Sequence, residues 1–288
     1  MKTIQLIICF ALFAVSVWLF FLHSRANHPS WSALEGRRYA HRGLHRAEDG
    51  VPENSLAAFR RAVRHGFASE LDVHLLSDGT LAVFHDSELQ RMTGRGGLIE
   101  SLTAKELRDY SLGGTPEHIP QLCEVLSLYN DTGLPLLIEL KSFRGNHAAL
   151  AERTVEELDR FRVPYCIESF DPRCLMWLRA FRPEVIRGQL SENFRKDVKG
   201  FQHFLGFLLT NLLFNAAAVP DFIAYKFEDR RRYAPRLCRA LYGAHIFYWT
   251  IRSQEDLDAA EREGAQAIFE GFTPKETEKK SERKEDTP

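Results

Sequence analysis

Between Tyr39 and Gly271, short apolar runs alternate with longer amphipathic ones, and this alternation limits the fold more than any single motif. Nine runs read as strands: RYAHRG, ASELDVHL, TLAVFHD, PLLIELK, YCIESF, VIRGQL, DFIAYKF, HIFYWTI and AQAIFEG. Helical stretches with marked ends lie between most of them. NSLAAFRRAVRHG opens on Asn54 as its expected cap and stops at Gly66. SQEDLDAAEREG opens on Ser253, carries acids in its first turn and stops at Gly264. Strand and helix alternating over this length predict a parallel α/β fold.

One connection does not fit a parallel repeat. LLSDGT joins ELDVHL to TLAVFHD, and a parallel crossover needs about a dozen residues or more. These two runs are therefore expected to pair antiparallel around Ser77-Asp78-Gly79-Thr80. Setting that strand aside leaves eight, the number that closes a (β/α)₈ TIM barrel, here assigned to residues 37–273. An open doubly wound sheet is the alternative. Two segments depart from the repeat. Residues 87–120 form a Gly-rich insertion after His85-Asp86, placed where barrel enzymes elaborate their sites and so a candidate substrate lid. Residues 200–219, GFQHFLGFLLTNLLFNAAAV, carry no charge. They suit a barrel helix with a broad apolar face or a helix lying against a bilayer.

The two ends lie outside the barrel. Thr3–Leu22 is uncharged and long enough to span a bilayer, which predicts an N-terminal transmembrane anchor over 1–24, followed by a linker over 25–36. A cleaved signal peptide is the competing reading, although its apolar stretch is usually shorter. Lys2 precedes the segment and Arg25, Arg37 and Arg38 follow it, so basic residues flank both ends. Residues 274–288 have no apolar residue to bury and read as a disordered charged tail. The formal net charge of -1, with Lys and Arg spread along the chain, speaks against a nucleic-acid partner. The five cysteines form no metal-binding spacing.

The strand ends carry the chemistry. Glu70 and Asp72 are two apart on one strand and so face the same side, as do Glu139 and Lys141 on a later one. Three carboxylates, Glu70, Asp72 and Glu139, cannot all stay ionised in a dry interior without a counter-charge. A hard divalent cation satisfies them, and a thiolate-free ligand set favours Ca²⁺ or Mg²⁺. His41 and His85 each end a strand, with cationic Arg42 and Lys141 on neighbouring strands. That set suits phosphodiester cleavage: one imidazole takes a proton, the other gives one, and the cations hold the phosphate. The plainer reading makes the acids partners of surface arginines and the histidines structural.

In order along the chain stand H-R-G (His41–Gly43), P-E-N-S (Pro52–Ser55), E-L-D-V (Glu70–Val73), F-H-D (Phe84–Asp86), E-L-K (Glu139–Lys141), S-F (Ser169, Phe170) and W-T (Trp249, Thr250). The set resembles the glycerophosphodiester phosphodiesterases. The resemblance implies a phospholipase-C-like barrel that hydrolyses glycerophosphodiesters to glycerol phosphate and an alcohol. It also implies His41 and His85 as general acid and base, Glu70, Asp72 and Glu139 as metal ligands, and Arg42 and Lys141 as phosphate contacts. Ser169, Phe170 and Trp249 fall at the pocket rim, and the insertion after His85 matches the family's own. Glu53 either touches the metal or braces the His41 loop while Asn54 caps the next helix. The family often ends its last strand in Thr-Asp, where this chain has Phe269-Glu270-Gly271, a change at the rim. The anchor brings the bilayer and a lysophospholipid into play as partner and substrate. The alternatives are thus a lysophospholipase D and a catalytically silent, membrane-tethered binding module.

Overall fold

The structure is a computed structural model that describes residues 2–194 and 201–275. All nine expected strands form. They are β1 (Arg38–Ala40), β2 (Ala68–Leu75), β3 (Leu81–Val83), β4 (Leu136–Leu140), β5 (Tyr165–Ser169), β6 (Arg187–Ser191), β7 (Phe222–Lys226), β8 (His245–Ile251) and β9 (Gln266–Phe269). β1 pairs in parallel with both β2 and β9, so the sheet closes on itself. β3 alone is antiparallel, joined to β2 with Val73 opposite Val83, as the short SDGT connection requires. Eight parallel strands therefore make a TIM barrel, and β3 is a hairpin appended to it.

The helices around the barrel are α2 (Leu56–Arg64), α4 (Leu122–Tyr129), α5 (His147–Leu158), α6 (Pro172–Phe181), α9 (Tyr233–Tyr242) and α10 (Gln254–Arg262). The chain also forms an N-terminal α1 (Lys2–Phe21), a short α3 (Gln90–Thr93) and the pair α7 (Phe201–Thr210) and α8 (Asn215–Ala218). Ser253 caps α10 as expected, accepting from the Asp256 N–H. At α2 the cap is Ser55, one residue later than expected. Asn54 instead takes a positive φ and turns its amide to Asp72. The barrel lumen is filled by Tyr39, Leu137, Cys166, Phe222, Phe247 and Ile268, and Trp31 and Leu34 close its floor.

Those last two belong to the segment expected as a linker. Residues 25–36 lie against the amino ends of the strands: Arg25 pairs with Asp221, and Trp31 stacks on His245 at 3.6 Å. Leu22 is fully buried with α9 and β7 residues. α1 itself is long and apolar enough to cross a membrane, and none of its residues is buried. The insertion is no loose lid. Leu89, Ile99, Leu102, Leu107, Leu112 and Ile119 make a core of their own on Leu76, Ala82 and Phe84. The charged tail lies outside the described residues from 276 onward.

Candidate active site

The carboxyl ends of the strands surround a cavity of about 170 Å³ whose wall includes His41, Arg42, Glu70, His85, Glu139, Lys141, Glu168, Phe170 and Trp249. Its position is set by β-strand register. Asp72 stands beside Glu139, and Glu139 beside Glu168, on adjacent parallel strands. Side chains on one face of adjacent strands converge inside a barrel.

Glu70, Glu139 and Glu168 each offer an oxygen within 4.8 Å of the other two. All three are buried, and Glu168 Oε2 has no hydrogen-bond partner among the described residues. Glu168 was absent from the expected ligand set, yet the signal was there. Ile138-Glu139 and Ile167-Glu168 are the same dipeptide at the same height on consecutive strands. Asp72 sits a step away from this trio. Its carboxylate lies 2.9 Å from Lys141 Nζ and accepts from the Asn54 amide at 2.8 Å, with Arg42 Nε at 3.5 Å. Lys141 also reaches Glu139 at 2.7 Å.

Burial, reinforced by the neighbouring acids, pushes the carboxyls of Glu70 and Glu168 well above their usual range. Burial likewise pushes Glu139 up to about 7, against the pull of Lys141. Burial acts on Asp72 in the same direction, but Lys141 and Arg42 together outweigh it and hold its pKa below the ordinary range. Four carboxylates thus face two cationic side chains. When all ionise, two negative charges stay unbalanced, which is the deficit an oxygen-liganded divalent ion fits.

The histidines share a design. His41 Nδ1 lies 2.8 Å from Glu270 and His85 Nδ1 lies 2.6 Å from Asp86, so each ring donates to a carboxylate behind it. That fixes the tautomer and leaves Nε2 for the cavity. Burial lowers both imidazole pKa values, opposed at His41 by Glu270 and at His85 by Asp72. The hydrogen bond from His41 in turn holds Glu270 at about 2. Glu270, read in the sequence as a change at the rim, is therefore the orienting partner of His41. We predict that Glu270→Gln lowers turnover by roughly tenfold to a hundredfold. Because Glu270 raises the His41 pKa, its loss should move to lower pH whichever limb of the pH–rate profile His41 governs. An unmoved limb would show that Glu270 does not set His41.

Glu53 accepts from Arg42 at 2.9 Å and from both terminal nitrogens of Arg91. Arg91, in α3 of the insertion, also holds Asp86. Glu53 thus braces the His41 loop and does not join the convergent acids. A second brace from the insertion runs through Glu100, which accepts from His74 Nδ1 at 2.8 Å while His74 Nε2 faces the His85 carbonyl at 3.2 Å. Ser169 does not line the cavity: its hydroxyl donates to the Leu140 carbonyl. Phe170 and Trp249 do, meeting edge to face at 5.7 Å. Gly43 makes the tight return of the His41 loop possible. Its φ is +79°, and a Cβ there would stand 2.8 Å from Ala58 Cβ. Gly43→Ala should cost about 2 kcal/mol or more, measured by denaturant unfolding; an unchanged midpoint would contradict the close approach.

Fold and site together define a TIM barrel with two histidines, convergent acids and two cations gathered at one cavity at the carboxyl ends of its strands. The glycerophosphoryl diester phosphodiesterase family model matches residues 41–273, and the chain belongs to that family. A glycerophosphodiester phosphodiesterase of Caldanaerobacter subterraneus is 27% identical over 246 residues, 80% of this chain and 91% of that one. Among solved structures, an Oleispira antarctica phosphodiesterase in complex with the product sn-glycerol-3-phosphate superposes with a TM-score of 0.67. It is 24% identical, over 85% of this chain and 95% of that one. A glycerophosphodiester phosphodiesterase from Thermotoga maritima gives 0.61 at 24% identity, over 80% and 92%. These two likenesses concern the fold. The chain is a phosphoric diester hydrolase of the glycerophosphodiester class.

Proposed function

We propose that the site cleaves a glycerophosphodiester to glycerol 3-phosphate and an alcohol, with His41 and His85 as acid and base and a divalent cation, Ca²⁺ or Mg²⁺, at Glu70, Glu139 and Glu168, with Asp72 beside them. The observation that carries this reading is the pair of cavity-lining imidazoles, each tied through Nδ1 to its own carboxylate. Bound there, the cation supplies charge stabilisation to the non-bridging phosphate oxygens. One imidazole Nε2 removes the proton from the attacking oxygen, either water, giving glycerol 3-phosphate directly, or the neighbouring glycerol hydroxyl, giving a cyclic phosphate that a second attack by water opens to glycerol 3-phosphate. The other protonates the departing alkoxide as the P–O bond breaks. Arg42 and Lys141, held by Glu53, Asp72 and Glu139, present fixed positive charge to the phosphate. Phe170 and Trp249 exclude water from one wall.

We also propose that α1 anchors the chain in a membrane. The burial of Leu22 and the Arg25–Asp221 pair support a helix retained as part of the folded protein. The test is release of glycerol phosphate from glycerophosphocholine by the full chain in detergent, with EDTA, Ca²⁺ or Mg²⁺. Metal-dependent turnover is expected. A folded, metal-binding chain with no turnover would return the reading to a silent binding module.

A further inference from the structure

The contacts of the chain after α1 determine from which end of the barrel that helix projects. Trp18 shares a groove with Asn211, Asp229, Arg231, Arg232 and Tyr233, residues that follow α7, follow β7 or open α9. The Leu19 carbonyl accepts from the Tyr242 hydroxyl, and His23 packs edge-on against the same ring. Arg25 then pairs with Asp221, just before β7, and Trp31 stacks on His245, the first residue of β8. From Trp18 to Trp31 the chain runs from the carboxyl ends of the strands, where the site opens, to their amino ends. Lys2 to Val17 are exposed. At 1.5 Å per residue they make a helical segment of roughly 24 Å free of the barrel.

α7 lies at the same end. The Leu209 carbonyl accepts from the Ser191 hydroxyl at the end of β6, and the Thr210 carbonyl accepts from the Tyr225 hydroxyl of β7. Phe204, Leu205 and Phe207 on this helix are 57%, 40% and 41% exposed. An exposed apolar face beside an apolar anchor, with Arg231 and Arg232 next to Trp18, has the composition of a lipid interface.

We propose that the barrel stands with its mouth on the bilayer. α1 crosses the membrane, the apolar face of α7 lies at the headgroup level, and the site takes a glycerophosphodiester that still carries an acyl chain from that membrane. This rests on the reading of α1 as an anchor and of the site as a diesterase. Such a substrate presents its phosphate at the surface while its chain stays in lipid, so α7 is a substrate-delivering surface and not part of the catalytic machinery.

The test uses the full chain in phosphatidylcholine vesicles. A photoreactive p-benzoylphenylalanine is placed at Phe204, at Phe207, or at the exposed Phe181, which ends α6 at the opposite end of the barrel. Lipid adducts are expected at the first two and not at Phe181. No adduct at Phe204 and Phe207, or equal labelling of all three, overturns the orientation whether or not the enzyme turns over. In parallel, Phe204→Ser/Leu205→Ser/Phe207→Ser should lower turnover of membrane-borne lysophosphatidylcholine about tenfold and leave soluble glycerophosphocholine unchanged. Equal effects on both substrates, or cleavage of the soluble one alone, overturn the lipid substrate. Cleavage of neither by the unaltered chain overturns the diesterase reading itself. Failure of the chain to float with vesicles overturns the anchor.

Discussion

Alanine at His41 or at His85 is expected to reduce turnover of a glycerophosphodiester by about 10²–10⁴-fold each, with folding intact. Both rings stand in the cavity wall, and their partners Glu270 and Asp86 are themselves partly open to solvent. Removing either ring therefore leaves a carboxylate that water reaches, not a hole in the core. The two losses should not add, because acid and base act in one step. A nitrophenyl leaving group needs no proton, so the variant it rescues identifies the acid and the unrescued variant the base. Near-normal rates in either variant, on an alkyl substrate, would sink the assignment. Loss of turnover together with a lower unfolding midpoint would instead make that histidine structural.

Why these histidines could be read from the sequence, and their partners could not, follows from how each is specified. Strand boundaries are local: ELDVHL and TLAVFHD show their pattern and their turn within 17 residues, and all nine strands formed where that pattern placed them. His41, Arg42, His85 and Lys141 follow strand ends and Glu70 and Glu139 lie within β2 and β4, and closure of the barrel brings them to one cavity. The partners are set by contacts far apart in the chain. Glu270 meets His41 across 229 positions, visible only once β9 is paired with β1. Arg91 and Glu100 reach the site from an insertion with its own small core, which no periodicity announces. Asn54 illustrates the same limit. Its cap-like sequence is local, but the buried Asp72 claims its amide and leaves Ser55 to cap the helix. Residues 25–36 look like a polar linker in sequence, yet Trp31 and Leu34 have the lumen floor to cover.

The largest pH effect is expected in the chain without metal. Glu70, Glu139 and Glu168 have folded pKa values raised by burial, Glu139 to about 7. Between the ordinary carboxylate range and about 7, the folded chain therefore holds protons that the unfolded chain has released. Stability from these groups is fully present below the unfolded pKa and is lost as pH rises through the folded values. Asp72 runs the other way, but its folded pKa is depressed and it titrates below this window. His41 and His85, whose folded pKa values burial lowers, work against this below about pH 6.5. With EDTA, the melting temperature should therefore fall from about pH 6.5 to about pH 8. A divalent ion competes with those same protons, so Ca²⁺ or Mg²⁺ should stabilise little at the acid end and most at the alkaline end. At about 100 times its Kd the gain is about 2.7 kcal/mol. Three amide variants separate the acids. Glu70→Gln and Glu168→Gln should raise the metal concentration needed for activity, yet stabilise the metal-free chain at alkaline pH by removing an uncompensated charge. Asp72→Asn should destabilise it, because Lys141 and Arg42 lose the carboxylate they share. A metal-free melting temperature that rises with pH over that range would mean that the carboxylates are balanced without an ion, and the cation would lose its place in the site.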